Sequence, residues 1–117
     1  MKKVVKYNKL IRDRIPEIIK AAGWKPKVRI LRKSEFLNAV KRKIREEAKE
    51  LIRANSEKGI VDEVVDIQEL LDVLAAEIKL TKPKIKKLQT AKRKKRGGFK
   101  KRLFLIEEEK KKLTCKK

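Results

Sequence analysis

The chain has 117 residues, of which 45% are charged and 4% aromatic, and its 37 Lys and Arg against 16 Asp and Glu give a formal net charge of +21. That length provides for one domain with a core that is modest for its surface. The absence of histidine excludes imidazole general bases, His-containing zinc sites and every Ser-His or Cys-His nucleophile, and a single cysteine, Cys115, excludes a disulfide framework and a CxxC site.

The positive charge calls for a polyanionic partner: a nucleotide, a nucleic acid or an anionic surface. Abundant Lys, Arg and Glu also suit a thermophile's surface, so charge alone does not choose among them. The opening MKKVVKYNKL has no long apolar stretch and no segment approaches the length of a membrane span, so a soluble, cytoplasmic protein without membrane association is expected. Few aromatics and long helical periodicities indicate a mainly α-helical chain that completes its small core by oligomerising.

In chain order, residues 2–10 form an opening segment with a VV pair between lysines, suited to lie extended against a bundle. A first helix follows, with Asp13 as N-cap, Pro16 in the first turn, Ile15, Ile18 and Ile19 as the apolar face and Gly23 at its end. Asn8, Lys9, Arg12, Asp13 and Arg14 crowd its start. Capping and solvated charge would account for any one of them; such a cluster beside a helix N-terminus also suits phosphate oxygens. Trp24 reads as a cap over the core edge, with base stacking the rarer alternative. KVRIL, residues 27–31, alternates as a short strand does.

A long helix is expected over 34–54, with Ser34 as N-cap and Glu35 in its first turn. At about 100° per residue, Phe36, Leu37, Val40, Ile44, Leu51 and Ala54 share one arc. Glu47 falls inside that arc and Glu50 at its edge. After a hinge at 55–59, a second helix over 60–80 aligns Ile60, Val64, Ile67, Leu71, Leu74 and Ile78. Glu63 points into this stripe and Asp66 borders it. So short a connection makes the helices antiparallel neighbours and brings Glu47 and Glu50 opposite Glu63 and Asp66.

One such acid is most often a side chain tilted to solvent, because buried carboxylates are rare. Two matched pairs on consecutive helices reverse those odds. Four converging carboxylates cannot all stay ionised in a desolvated groove without cations. Oxygen-only ligands select hard divalent ions, so Mg²⁺ or Mn²⁺ is the expected guest.

The next helix begins at Pro83 and has a thin apolar face, Ile85, Leu88 and Ala91, before the basic run AKRKKRGGF at 91–99. That run reads as a nucleic-acid patch or a solvated end, with Gly97 and Gly98 giving the backbone freedom to turn near a ligand. RLFLIE, residues 102–107, is expected to pair with KVRIL as a small two-stranded β ribbon. Residues 108–117 form a polar tail, and with no repeat or flexible linker the whole of 1–117 reads as one domain.

EEAKE (46–50) followed by EVVD (63–66) resembles the EExxE…ExxD signature of the MazG-like, all-α nucleoside triphosphate pyrophosphohydrolases. The opening YNKLIRDRIPEII and the later KRGGF resemble the ends of a subfamily labelled phosphoribosyl-ATP pyrophosphohydrolase-like, so the likeness covers nearly the whole chain. The acidic motif alone is weakly specific; with the other two blocks in order it becomes fairly specific.

The resemblance implies an antiparallel helix bundle and Mg²⁺-dependent cleavage of a nucleoside triphosphate between the α and β phosphates, giving a monophosphate and pyrophosphate. It also implies a dimer or larger homo-oligomer. Carried over by position, Glu47, Glu50, Glu63 and Asp66 become the metal ligands, with Glu47 or Glu50 accepting the proton of the attacking water. Glu46 matches the first letter of the motif but projects away from the apolar arc, as a supporting or surface residue. Asn8, Lys9, Arg12 and Arg14, with Lys95 and Arg96, become the candidates for binding the polyphosphate. House-cleaning of non-standard nucleotides is the preferred role. The alternative is a basic helical module that binds RNA or DNA without hydrolysing anything.

Overall fold

Two helices of 21 residues each, Lys33–Arg53 (α2) and Glu57–Glu77 (α3), joined by the turn at 54–56, frame the acidic residues. The computed structural model describes residues 3–110; Met1, Lys2 and residues 111–117, which hold Cys115 and most of the expected tail, lie outside the described residues. Two shorter helices, Ile15–Ala21 (α1) and Lys82–Arg96 (α4), complete a mainly helical chain. The chain divides into two compact units, Met1–Thr81 and Lys82–Lys117.

The helix ends follow from local chemistry and shift the expected boundaries. α1 is capped by Arg14 rather than Asp13 and carries Pro in its first turn. Gly23, at φ +90°, lets Trp24 N–H reach the Ile19 carbonyl at 3.1 Å and its own N–H reach Lys20 at 3.0 Å, which closes the helix in a Schellman turn. Trp24 is 50% exposed there. α2 starts at Lys33 instead of Ser34 because Glu35 reaches back to accept the Arg32 backbone N–H at 3.1 Å, the return half of a capping box. At the start of α3, Ser56 Oγ accepts from Gly59 N–H at 3.1 Å. A Cβ on Gly59 would meet that oxygen at 3.2 Å and Ala54 Cβ at 3.4 Å, so glycine lets the turn close. Gly59 thus belongs to α3, which begins three residues earlier than its apolar stripe suggests.

Helix-on-helix packing in the first unit is that of α2 on α3. On α2 the expected arc is the inner face: Phe36, Leu37, Ile44, Glu47 and Leu51 are half-buried and Val40 is 0% exposed. On α3 the helix is rotated from expectation. Of the expected stripe, Ile67 and Leu74 are half-buried but Ile60, Val64, Leu71 and Ile78 are exposed, whereas Glu63, Asp66, Leu70, Val73 and Glu77 are half-buried and Ala75 is buried. The face turned inward therefore carries Glu63 and Asp66 at its loop end.

Neither KVRIL nor RLFLIE is a strand, and the described residues contain none, so the expected ribbon is not formed. KVRIL instead serves as the approach to α2, because Arg29 donates to both carboxylate oxygens of Glu35, at 3.3 and 2.9 Å. In the second unit α4 starts at Lys82 with Pro83 in its first turn and stops at Gly97, whose φ is +82°. Beyond it, Phe99, Leu103, Phe104, Leu105 and Ile106 lie exposed. Among the described residues no helix is long and apolar enough to cross a membrane.

Candidate metal centre

The hairpin places Glu47 and Glu63 opposite each other. Both lie eight residues along the chain from Asn55, and equal arms of an antiparallel pair bring equal depths together. Asp66 follows Glu63 by three residues, on the same face of α3. One carboxylate oxygen from each of Glu47, Glu63 and Asp66 lies within 4.8 Å of the others, and all three residues are half-buried.

Glu50 stands apart from this triad. It is exposed, and its Oε1 accepts from Arg53 Nη1 at 3.3 Å. Its place one turn nearer the loop sets it beyond Glu63 rather than level with it, and of the two expected α2 ligands the structure draws Glu47 into the cluster.

The electrostatics follow from the crowding. The Glu63 carboxyl is pushed up to about 7 by its hydrogen bond with Glu47, by burial, and by the charges of Glu47, Asp66 and Glu50. Its Oε2 is buried, and no donor among the described residues reaches it. Two facing carboxylates can share a hydrogen bond only when one of them holds a proton, so Glu63 keeps its proton above the usual carboxylate range.

Cations ring the triad. Arg12 Nη2 donates to Asp66 Oδ1 at 2.8 Å, and Lys9 Nζ to Glu46 Oε1 at 3.2 Å. Lys43 sits 3.2 Å from Glu46 Oε2 and 3.8 Å from Glu47 Oε1. Partial burial works to raise the Glu46 carboxyl, but the ammonium groups of Lys43 and Lys9 hold it below the usual range. Glu46 is thus a supporting acid, tied to lysines beside the triad rather than part of it.

The expected phosphate-binding residues are placed unequally. Lys9 and Arg12 lie against the acidic hairpin. Lys9 also stands over the Tyr7 ring at 5.5 Å, and Asn8 before it takes a positive φ of 47°, a backbone turn that Asn tolerates better than most residues. Arg14 is exposed at the α1 N-cap. Lys95 and Arg96 are exposed in the last turn of α4, in the second unit. Lys43 is the residue that sequence reasoning passed over. Its signal was the spacing to Glu46 and Glu47, three and four residues on along one helical face.

The donor set fits a hard divalent ion. All three side chains offer oxygen, one of them with a buried unpartnered atom.

The chain is 40% identical over 53 residues to an uncharacterized protein of Mycolicibacterium smegmatis. That stretch is 45% of this chain and 54% of the relative, so the chain spans about half the length of the protein it matches. No family model matches the chain, and no solved structure matches it.

Proposed function

We propose that the protein is a divalent-metal-dependent nucleotide pyrophosphohydrolase of the MazG-like type, cleaving nucleoside triphosphates between the α and β phosphates. The observation that carries this reading is the convergence of Glu47, Glu63 and Asp66 within 4.8 Å beside Arg12 and Lys9. An acid cluster alone would repel a polyphosphate. One that holds a cation and is flanked by cationic side chains attracts it.

Glu47, Glu63 and Asp66 would hold Mg²⁺ or Mn²⁺, with Glu50 joining them by leaving Arg53, an exposed pair that contributes little. The bound ion supplies Lewis-acid neutralisation of the phosphate charge. Glu47 or Glu50 takes a proton from water as its oxygen bonds to phosphorus. The anhydride P–O bond breaks, and monophosphate and pyrophosphate leave. Lys9, Arg12, Arg14 and Asn8 orient the phosphates. A cytoplasmic role against non-standard nucleotides suits this chemistry. The exposed Ile60, Val64, Leu71 and Ile78 of α3 favour a homo-oligomer with a helix-bundle core.

The test is pyrophosphate release from a panel of standard and damaged nucleoside triphosphates with Mg²⁺, Mn²⁺ or EDTA, for wild type and Glu63→Gln. Metal-dependent release that the variant loses supports the reading, and silence across the panel from folded protein counts against it. A second reading, a basic module binding RNA or DNA, is favoured by α4, whose sequence KPKIKKLQTAKRKKR contains no acid. In that case binding survives EDTA and falls steeply with salt.

A further inference from the structure

Arg12 joins the irregular N-terminal segment to the metal centre. Its guanidinium bonds Asp66, a member of the acidic triad, at 2.8 Å across 54 residues of sequence. Lys9 makes a second tie, to Glu46, across 37 residues.

The cations around the triad differ in how firmly they are held. Lys43 has a side chain 18% exposed and belongs to the same helix as its partners, Glu46 and Glu47. The Arg12 and Asp66 side chains are 59% and 40% exposed, and Arg12 stands on backbone with no helix or strand of its own. Solvent screens such a pair, so Arg12 is the cation most readily moved. Of its five N–H donors, the bond to Asp66 uses Nη2 alone.

Resting on the reading of the triad as a divalent-cation site, we propose that Arg12 is an exchangeable counter-ion. It neutralises Asp66 until a divalent cation shares that carboxylate, and then turns its guanidinium to the phosphate oxygens of the nucleotide. A guanidinium and a divalent ion on one carboxylate repel each other, and the exposed side chain yields at lower cost. The planar fork that grips a carboxylate grips a phosphate equally well, so one residue serves both states. Lysine would replace its charge but not its two-point geometry.

The experiment titrates Mn²⁺ into the full chain by calorimetry and then pyrophosphate in the presence and absence of Mn²⁺, for wild type, Arg12→Ala and Arg12→Lys. Arg12→Ala is expected to bind Mn²⁺ as tightly as wild type or up to about fivefold tighter, the equilibrium equivalent of an exposed ion pair of about 1 kcal/mol. It is expected to bind pyrophosphate at least about tenfold more weakly with Mn²⁺ present, the loss expected for charge-assisted hydrogen bonds. Arg12→Lys, which keeps the charge and guards against a folding defect in the alanine variant, is expected to match wild type for Mn²⁺ and to recover only part of the pyrophosphate affinity. Weaker Mn²⁺ binding by both folded variants would make Arg12 a support that orients Asp66 and would overturn the proposal. So would unchanged pyrophosphate binding. Failure of folded wild type to bind Mn²⁺ at all would overturn the cation-site reading together with it.

Discussion

Glu47 on α2 and Glu63 on α3 face each other at equal distance from Asn55, and their contact is the main reason the Glu63 carboxyl is raised to about 7. A hairpin that sets two acids against each other, with Asp66 beside them, holds charge that a hydrophobic seam would not contain. The arrangement gains stability from a proton, and on the proposed metal-site reading a cation would stabilise it too and compete with that proton.

That competition would make cation affinity depend on pH. With the Glu63 carboxyl near 7, binding a metal expels one proton below that pH and none well above it. Mn²⁺ affinity measured by calorimetry is expected to be about tenfold weaker at pH 6 than at pH 8, the factor for one displaced proton.

Glu63→Gln separates stability from function. A carboxyl raised to about 7 in the folded state, above an unfolded value of about 4.3, stabilises the fold in its protonated form, and that contribution is lost as pH rises through 7. In EDTA the variant and wild type are expected to melt at similar temperatures at pH 5. At pH 8 the variant should melt higher, while it no longer binds Mn²⁺. Equal melting temperatures at both pH values would show that the Glu47–Glu63 contact carries no strain.

Glu35 has the opposite sign. The Arg29 guanidinium and the Arg32 backbone N–H hold its carboxyl down at about 2. Its contribution is therefore present above about 4.3, the unfolded value, and is lost as pH falls toward 2. Glu35→Gln is expected to lower the urea midpoint at pH 7 and to show a shallower acid loss than wild type between pH 4.5 and pH 2.5. A parallel loss in both proteins would place the acid sensitivity elsewhere.

Core and surface aliphatics should separate sharply. Val40 is 0% exposed, and Val40→Ala is expected to cost about 2 kcal/mol, from two lost methyl groups plus the cavity left behind. Ile52 is 83% exposed, and Ile52→Ala should stay within about 0.5 kcal/mol. Urea unfolding of both variants measures the contrast.

The helices and their hairpin were legible because 3.6-residue periodicity, a short connection and good caps act locally. The apolar arc of α2 was readable for the same reason. The rotation of α3 was not, since Ile60, Val64, Leu71 and Ile78 outline an apolar seam that the hairpin leaves exposed. Treating apolar stripes as inner faces fails when a helix has two faces to satisfy. The convergence of Glu47, Glu63 and Asp66 follows from register, whereas the expected approach of Glu50 rested on a hinge placed too late: the turn lies at 54–56, not at 55–59. The Arg12–Asp66 and Lys9–Glu46 pairs span too much sequence for any local pattern to signal them. KVRIL looked like a strand because alternation over five residues is also what a capping approach produces, once Arg29 turns to Glu35.

The proposed reaction is defined by the bond it breaks, which ³¹P NMR of a nucleoside triphosphate incubated with the protein and Mg²⁺ reads directly. Paired growth of nucleoside monophosphate and pyrophosphate resonances is expected, stopped by EDTA and absent with Glu63→Gln. Inorganic phosphate with a nucleoside diphosphate, or an unchanged spectrum from folded, Mg²⁺-loaded protein across the substrate panel, would contradict it.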